Sequence, residues 1–218
     1  MATSIPVYLE VGAKKVFAVA VEWPGWARSG RGEEAALEAL LAYRDRYAEV
    51  VRLAGARPPG TGAPTVVERV EGNATTDFGA PGVVADVDRE PLTAARAHRL
   101  IALLRAAWQT LDDTAARSPA ALRKGPRGGG RDRDKMLAHV LGAEAAYART
   151  LGLRHREPDI ADRAAIEAMR ADILATLDRS STGEPLKPKG WPPRYALRRM
   201  AWHALDHAWE MADRSEPA

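Results

Sequence analysis

The stretch from Trp191 to Arg214, WPPRYALRRMAWHALDHAWEMADR, carries His203 and His207 four residues apart. On a helix that spacing puts both imidazoles on one face, about one turn or ~6 Å apart. Two neutral imidazoles so placed suit a shared divalent metal ion, and a catalytic zinc-type centre takes three protein ligands and leaves a position open. With five histidines in 218 residues, an accidental i,i+4 pair arises with a probability of roughly one in ten, and a third ligand on another helix would strengthen the reading. His139, in KMLAHVLGAEAAY (Lys135 to Tyr147), is the candidate. Alone it reads as a satisfied core histidine; beside the other two it completes a three-histidine set. His98 and His155 fall in an Arg-flanked helix start and a polar loop, and read as exposed.

Other polar residues fall into supporting roles. Asp206 and Glu210 flank the pair and are candidates to orient a ligand imidazole through its second nitrogen, although Asp206, next to His207 in sequence, should point away from the metal face. Glu144 lies five residues beyond His139, about 140° around an ideal helix, and is a poor ligand. Arg198 and Arg199 are substrate-binding candidates for an acidic ligand, with surface ion pairs as the equal alternative. Thr76 and Asp77 are candidate ligand contacts on a loop; the stronger competing reading is that this Thr/Asp cluster caps turns with its own side chains.

The histidines need helices to hold them. Pro192 and Pro193 mark the start of the last helix, and nothing from Arg194 to Asp213 breaks it. Ala196, Met200, Ala204, Ala208 and Met211 fall on or beside the histidine stripe, so the pair points into a core. Three more amphipathic runs precede it: Pro91 to about Arg117, with Leu100, Leu103, Leu104, Trp108 and Leu111 on one face; Arg133 to about Leu151, which carries His139; and Ala161 to about Arg179. Trp202 and Trp209, seven apart, share a face and read as core or pocket wall. Together the four runs predict an all-α up-down four-helix bundle over residues 91–214. Ser118 to Arg133 is a basic, glycine-rich segment able to close over an anion. It lacks the preceding strand and the GKS/T ending of a phosphate-cradling loop.

The first third reads differently. Pro6 to Val11 and Lys15 to Trp23 form a hairpin around Gly12 and Ala13, the second strand apolar on both faces. WPGW (Trp23 to Trp26) turns the chain, and one helix is expected from Gly32 to Gly55, favoured by Glu33 and Glu34 at its start. Thr65 to Gly72 reads as a further strand that can join the hairpin. Residues 73–90 are a connecting loop with one short strand at Val83 to Val87. The fold class is therefore α+β: a small module over residues 1–72, the connection, and the helical part.

Composition excludes several classes of function. Cysteine is absent, which removes disulfides, thiolate metal sites and a cysteine nucleophile. No run of about 18 apolar residues occurs and the start lacks a basic-then-apolar leader, so no membrane span or secretory signal is read and a cytoplasmic location is expected. Net charge is +3, with 26 Arg and 6 Lys mixed among 29 acids. That mixing reads as a salt-bridged surface and argues against nucleic acid as a partner.

Two resemblances follow from these motifs. KMLAHVLGAEAAY and RYALRRMAWHALDHAWEMADR, with the His-x-x-x-His of the last helix, are similar to the second and last helices of the DinB-like superfamily of bacterial four-helix bundles, over residues 91–214. The hairpin, the Pro24-Gly25 turn and the Glu-rich helix EEAALEALLAYRDRY resemble the HicB-like fold of bacterial antitoxins and stand-alone modules, over residues 6–55. The first resemblance implies that His139, His203 and His207 bind a divalent metal, zinc first and nickel or iron next. It further implies a low-molecular-weight thiol such as mycothiol, a small electrophile as its partner, and an S-transferase or isomerase activity. The second implies an alternative: a non-catalytic binding or antitoxin-like interaction module with a structural metal site. A homodimer is compatible with either.

Overall fold

The computed structural model describes residues 4–125 and 130–215; residues 126–129 of the basic segment, two of its three successive glycines among them, lie outside these. It is a mixed α+β fold, with a four-stranded sheet near the N-terminus and helices mostly in the C-terminal part. Strands β1 (Ile5–Val11) and β2 (Val16–Ala20) make the expected antiparallel hairpin. β2 ends at Ala20, earlier than Trp23, because the chain there enters a turn closed by the Trp26 N–H on the Trp23 carbonyl (3.0 Å). Gly25 sits at φ 93°, and a Cβ there would lie 2.6 Å from the Leu205 side chain. Only glycine lets this turn rest against the last helix at that backbone angle.

A strand not read from the sequence follows: β3 (Ala27–Gly30) pairs antiparallel with β2. Its residues, ARSG, carry no β signal, and the pairing comes from the tight turn that returns the chain alongside β2. β4 (Pro64–Glu71) joins β1 in parallel, giving the order β3-β2-β1-β4. The helix expected from Gly32 to Gly55 is two helices, α1 (Glu33–Ala42) and α2 (Arg44–Leu53), which meet at Tyr43. Tyr43 lies under the Arg28 guanidinium (3.9 Å to the ring centre) and edge-on to Trp209 (5.1 Å). A tertiary contact thus breaks the helix where its sequence periodicity does not.

In the connection, a short helix α3 (Ala74–Phe78), capped by Asn73, replaces the expected loop. A 3-10 turn (Asp86–Arg89) replaces the strand expected at Val83 to Val87. The segment closes around Glu10, fully buried, which accepts hydrogen bonds from the Thr76 hydroxyl and from the backbone N–H groups of Gly82 (2.9 Å) and Val83 (3.1 Å). A buried carboxylate is tolerated only with such donors.

The four expected long helices are α4 (Ala94–Arg117), α5 (Arg133–Thr150), α6 (Arg163–Leu177) and α7 (Pro193–Ser215). α7 packs on α4 and α5, and α6 packs on the same two. One hydrophobic cluster joins Leu9, Leu40 and Tyr47 of the first part to Leu104, Met136, Ile173 and Leu205 of the helices. On the other face of the sheet Tyr8, Phe17 and Val19 pack with Trp202 of α7, so the inner strands are covered on both sides, as the apolar pattern of β2 implied. Each buried leucine-sized side chain in this arrangement contributes ~1.5–3 kcal/mol. No described helix is long and apolar enough to cross a membrane.

Candidate metal centre

α5 and α7 bring His139, His203 and His207 together. Their ligating nitrogens all lie within 4.8 Å of one another, and the Nε2 atoms of His139 and His203 face each other at 3.3 Å. The ring centres are 5.1 Å (His139 to His203), 5.1 Å (His139 to His207) and 4.8 Å (His203 to His207) apart. A tetrahedral ion with Zn–N bonds of ~2.0–2.1 Å has a ligand-to-ligand edge of ~3.3–3.4 Å. One edge of the triangle is already at that length, and the donor set, three imidazoles on two rigid helices, fits a zinc-type ion.

Burial lowers the pKa of two of the three histidines. His203 is 7% exposed, and that burial, reinforced by His207 and Arg199, holds its pKa well below the ordinary histidine value. His139, the most exposed of the three, is lowered by partial burial, then by the charge of Arg131 and by His207. Neutral imidazoles are the metal-binding form. His207 Nδ1 lies 3.2 Å from Glu210 Oε2; with Nδ1–H donating to that carboxylate, Nε2 is left as the free lone pair toward the other rings. The bond from His207 and that from Arg214 (2.9 Å) keep the Glu210 carboxyl below its usual range, against the effect of burial. His203 Nδ1 is buried with no hydrogen-bond partner, so its ring is oriented by packing against Tyr147 and Trp202.

The remaining candidates separate clearly. Asp206 accepts from Arg28 of β3 at 2.9 Å and bonds no histidine among the described residues; it points away from the metal face, as its position next to His207 implied. Burial raises its pKa, with Arg28 opposing. Arg198 is engaged inside the fold: it is 3% exposed and forks onto both oxygens of Asp88, itself 2% exposed, and onto the Tyr8 hydroxyl. Thr76 and Asp77 are not brought to the histidines. Thr76 bonds Glu10, and Asp77 accepts from the backbone N–H groups of Lys14 (2.7 Å) and Lys15 (3.3 Å), locking the hairpin turn. Glu144 forms a buried pair with Arg170 (3.0 Å), off the histidine face. His98 is exposed beside Asp178, whereas His155, expected in solvent, is half-buried against Asp172 (3.0 Å).

Tyr147, Trp191 and Arg131 border the site and were not singled out by sequence reasoning. For Tyr147 a partial signal existed, since its eight-residue separation from His139 leaves it about 80° around α5, roughly two turns on. Behind the His207–Glu210 bond lies a cleft of about 540 Å³, lined by Arg28, Tyr43, Trp209, Glu210 and Arg214 among others, a size suited to a small ligand. Trp209 forms pocket wall here, and Trp202 forms core. Comparison with protein-family models, with curated proteins and with solved structures gives no match.

Proposed function

We propose that the chain is a divalent-metal-dependent enzyme in which a low-molecular-weight thiol such as mycothiol attacks a small electrophile, making it an S-transferase or an isomerase. The observation that carries the reading is the convergence of three imidazoles from two helices, with no carboxylate among them. A bound Zn²⁺ would keep its full charge there and supply Lewis acidity that lowers the pKa of a thiol or water beside it. His139, His203 and His207 would hold the ion, and Glu210 would fix the tautomer of His207. With no cysteine in the chain, the thiol has to be exogenous. The same reading takes α4 to α7 as a DinB-like four-helix bundle, supported by their mutual packing, and the sheet with α1 and α2 as a HicB-like module, supported by its hairpin-first order.

The test is a turnover screen of zinc-loaded protein with several low-molecular-weight thiols against activated electrophiles. Conversion of the electrophile that requires both protein and thiol, and that disappears on chelation and in His203→Ala, is the expected result. Loaded protein that turns over no combination would refute catalysis and leave the histidines a stabilising cluster.

A further inference from the structure

Four arginines lie on α7, and three are matched: Arg194 holds Glu90 (2.8 Å), Arg198 holds Asp88, and Arg214 holds Glu210 (2.9 Å). Arg199 is different. It forms no ion pair with a described carboxylate, and its Nη1 is buried with no hydrogen-bond partner. A guanidinium presents five N–H donors and keeps its charge at any physiological pH, so leaving it unmatched and half-buried is unfavourable for folding alone. What holds it are rings: its carbon lies 4.7 Å from the centre of Trp202 and 5.6 Å from that of Tyr147. Stacking of this kind fixes the cation while leaving the in-plane donors free. Trp191, 4.9 Å from Tyr147, extends the aromatic wall.

Its place matters. Arg199 is four residues before His203, on the same face of α7 and about one turn, ~6 Å, from that imidazole. Tyr147 touches both, with its ring 5.8 Å from the His203 ring. Arg131, exposed and just ahead of α5, is a second cation whose field reaches His139 and His203. Glu210, the carboxylate beside the cluster, is already engaged by His207 and Arg214. The three imidazoles are thus flanked by two cations and an aromatic surface.

We propose that Arg199 is the anion-recognition residue of this site, binding the carboxylate of a small organic acid whose flat apolar body lies against Tyr147 and Trp191 and whose reacting end faces the histidines. The inference rests on the three-histidine cluster as the reaction centre and adds the class of substrate. A single planar guanidinium edge matches a carboxylate bidentately, and a neutral substrate would leave its donors unpaired.

Benzoate is the probe and benzamide its uncharged counterpart, titrated into the zinc-loaded full chain by calorimetry, with the metal content of each sample measured. Wild type should bind benzoate at least about 10-fold more tightly than benzamide. Arg199→Gln should lose that preference with metal content unchanged, and Arg199→Lys should show a reduced one because the planar fork is gone. Equal affinity for the two probes in wild type, or an undiminished preference in Arg199→Gln, overturns the proposal. If the glutamine variant does not fold, the lysine variant decides, and a full wild-type preference there overturns it. An Arg199-dependent preference in wild type that takes up no metal supports the anion site while removing the metal-enzyme reading.

Discussion

Arg198 offers the sharpest test of how the sheet is fixed to the helix that carries the histidines. Its guanidinium and the Asp88 carboxylate are both almost completely excluded from water, and the Tyr8 hydroxyl completes the arrangement. Arg198→Met keeps most of the side-chain volume and removes the charge, leaving Asp88 buried and without its counter-ion. Breaking a buried pair in this way costs about 3–5 kcal/mol. For a chain of this size each kcal/mol moves the midpoint of thermal unfolding by about 2–4 °C, so the expected fall is about 6–20 °C. The double variant Arg198→Met, Asp88→Leu removes both charges and should recover much of the loss, since apolar replacement of a whole buried pair is often neutral. Urea denaturation of the two single variants and the double variant measures this directly. A single-variant loss under about 1 kcal/mol, the range of exposed pairs, would refute the lock and reopen Arg198 as a ligand-binding residue.

Further expectations concern the site itself. In chelated protein, burial keeps His203 neutral with its pKa well below the ordinary value, so near pH ~6.5 and below the unfolded chain binds a proton that the folded chain does not. The stability is therefore full above about pH 6.5 and falls as pH drops, by about 1.4 kcal/mol per pH unit for this one group, until the folded His203 itself protonates. Denaturation of chelated wild type and His203→Gln at about pH 7, 6 and 5 checks the sign, and equal slopes for the two proteins would contradict it. Glu210→Ala removes the acceptor on His207 Nδ1 and should weaken metal binding about 10- to 100-fold in chelator competition; an unchanged affinity would mean that packing alone orients His207.

The helices that carry the site were legible because long amphipathic stretches state their own period, and α7 is uninterrupted from Arg194 onward. The i,i+4 pair and His139 were legible for the same reason. Less could be read where tertiary contact decides local structure. The break at Tyr43 depends on Arg28 and Trp209, distant in sequence, and β3 depends on a turn resting against Leu205. The two adjacent arginines, 198 and 199, show the limit most clearly. Helical spacing places Arg199 on the histidine face and turns Arg198 about 100° away, but nothing in the sequence says that Asp88 and Tyr8 wait there. Thr76 and Asp77 had a ligand reading because polar loop residues often bind ligands; their partners, Glu10 and the hairpin turn, are more than sixty residues earlier.

The central claim is that His139, His203 and His207 together hold one divalent ion. Metal content of the purified chain after zinc loading and exhaustive buffer exchange tests it most directly, with each histidine replaced in turn by alanine and folding checked by circular dichroism. One zinc per chain in wild type, lost in folded His203→Ala and weakened in the other two, is the expected result. Wild-type protein that retains no stoichiometric metal, or three alanine variants that retain it undiminished, would contradict the account.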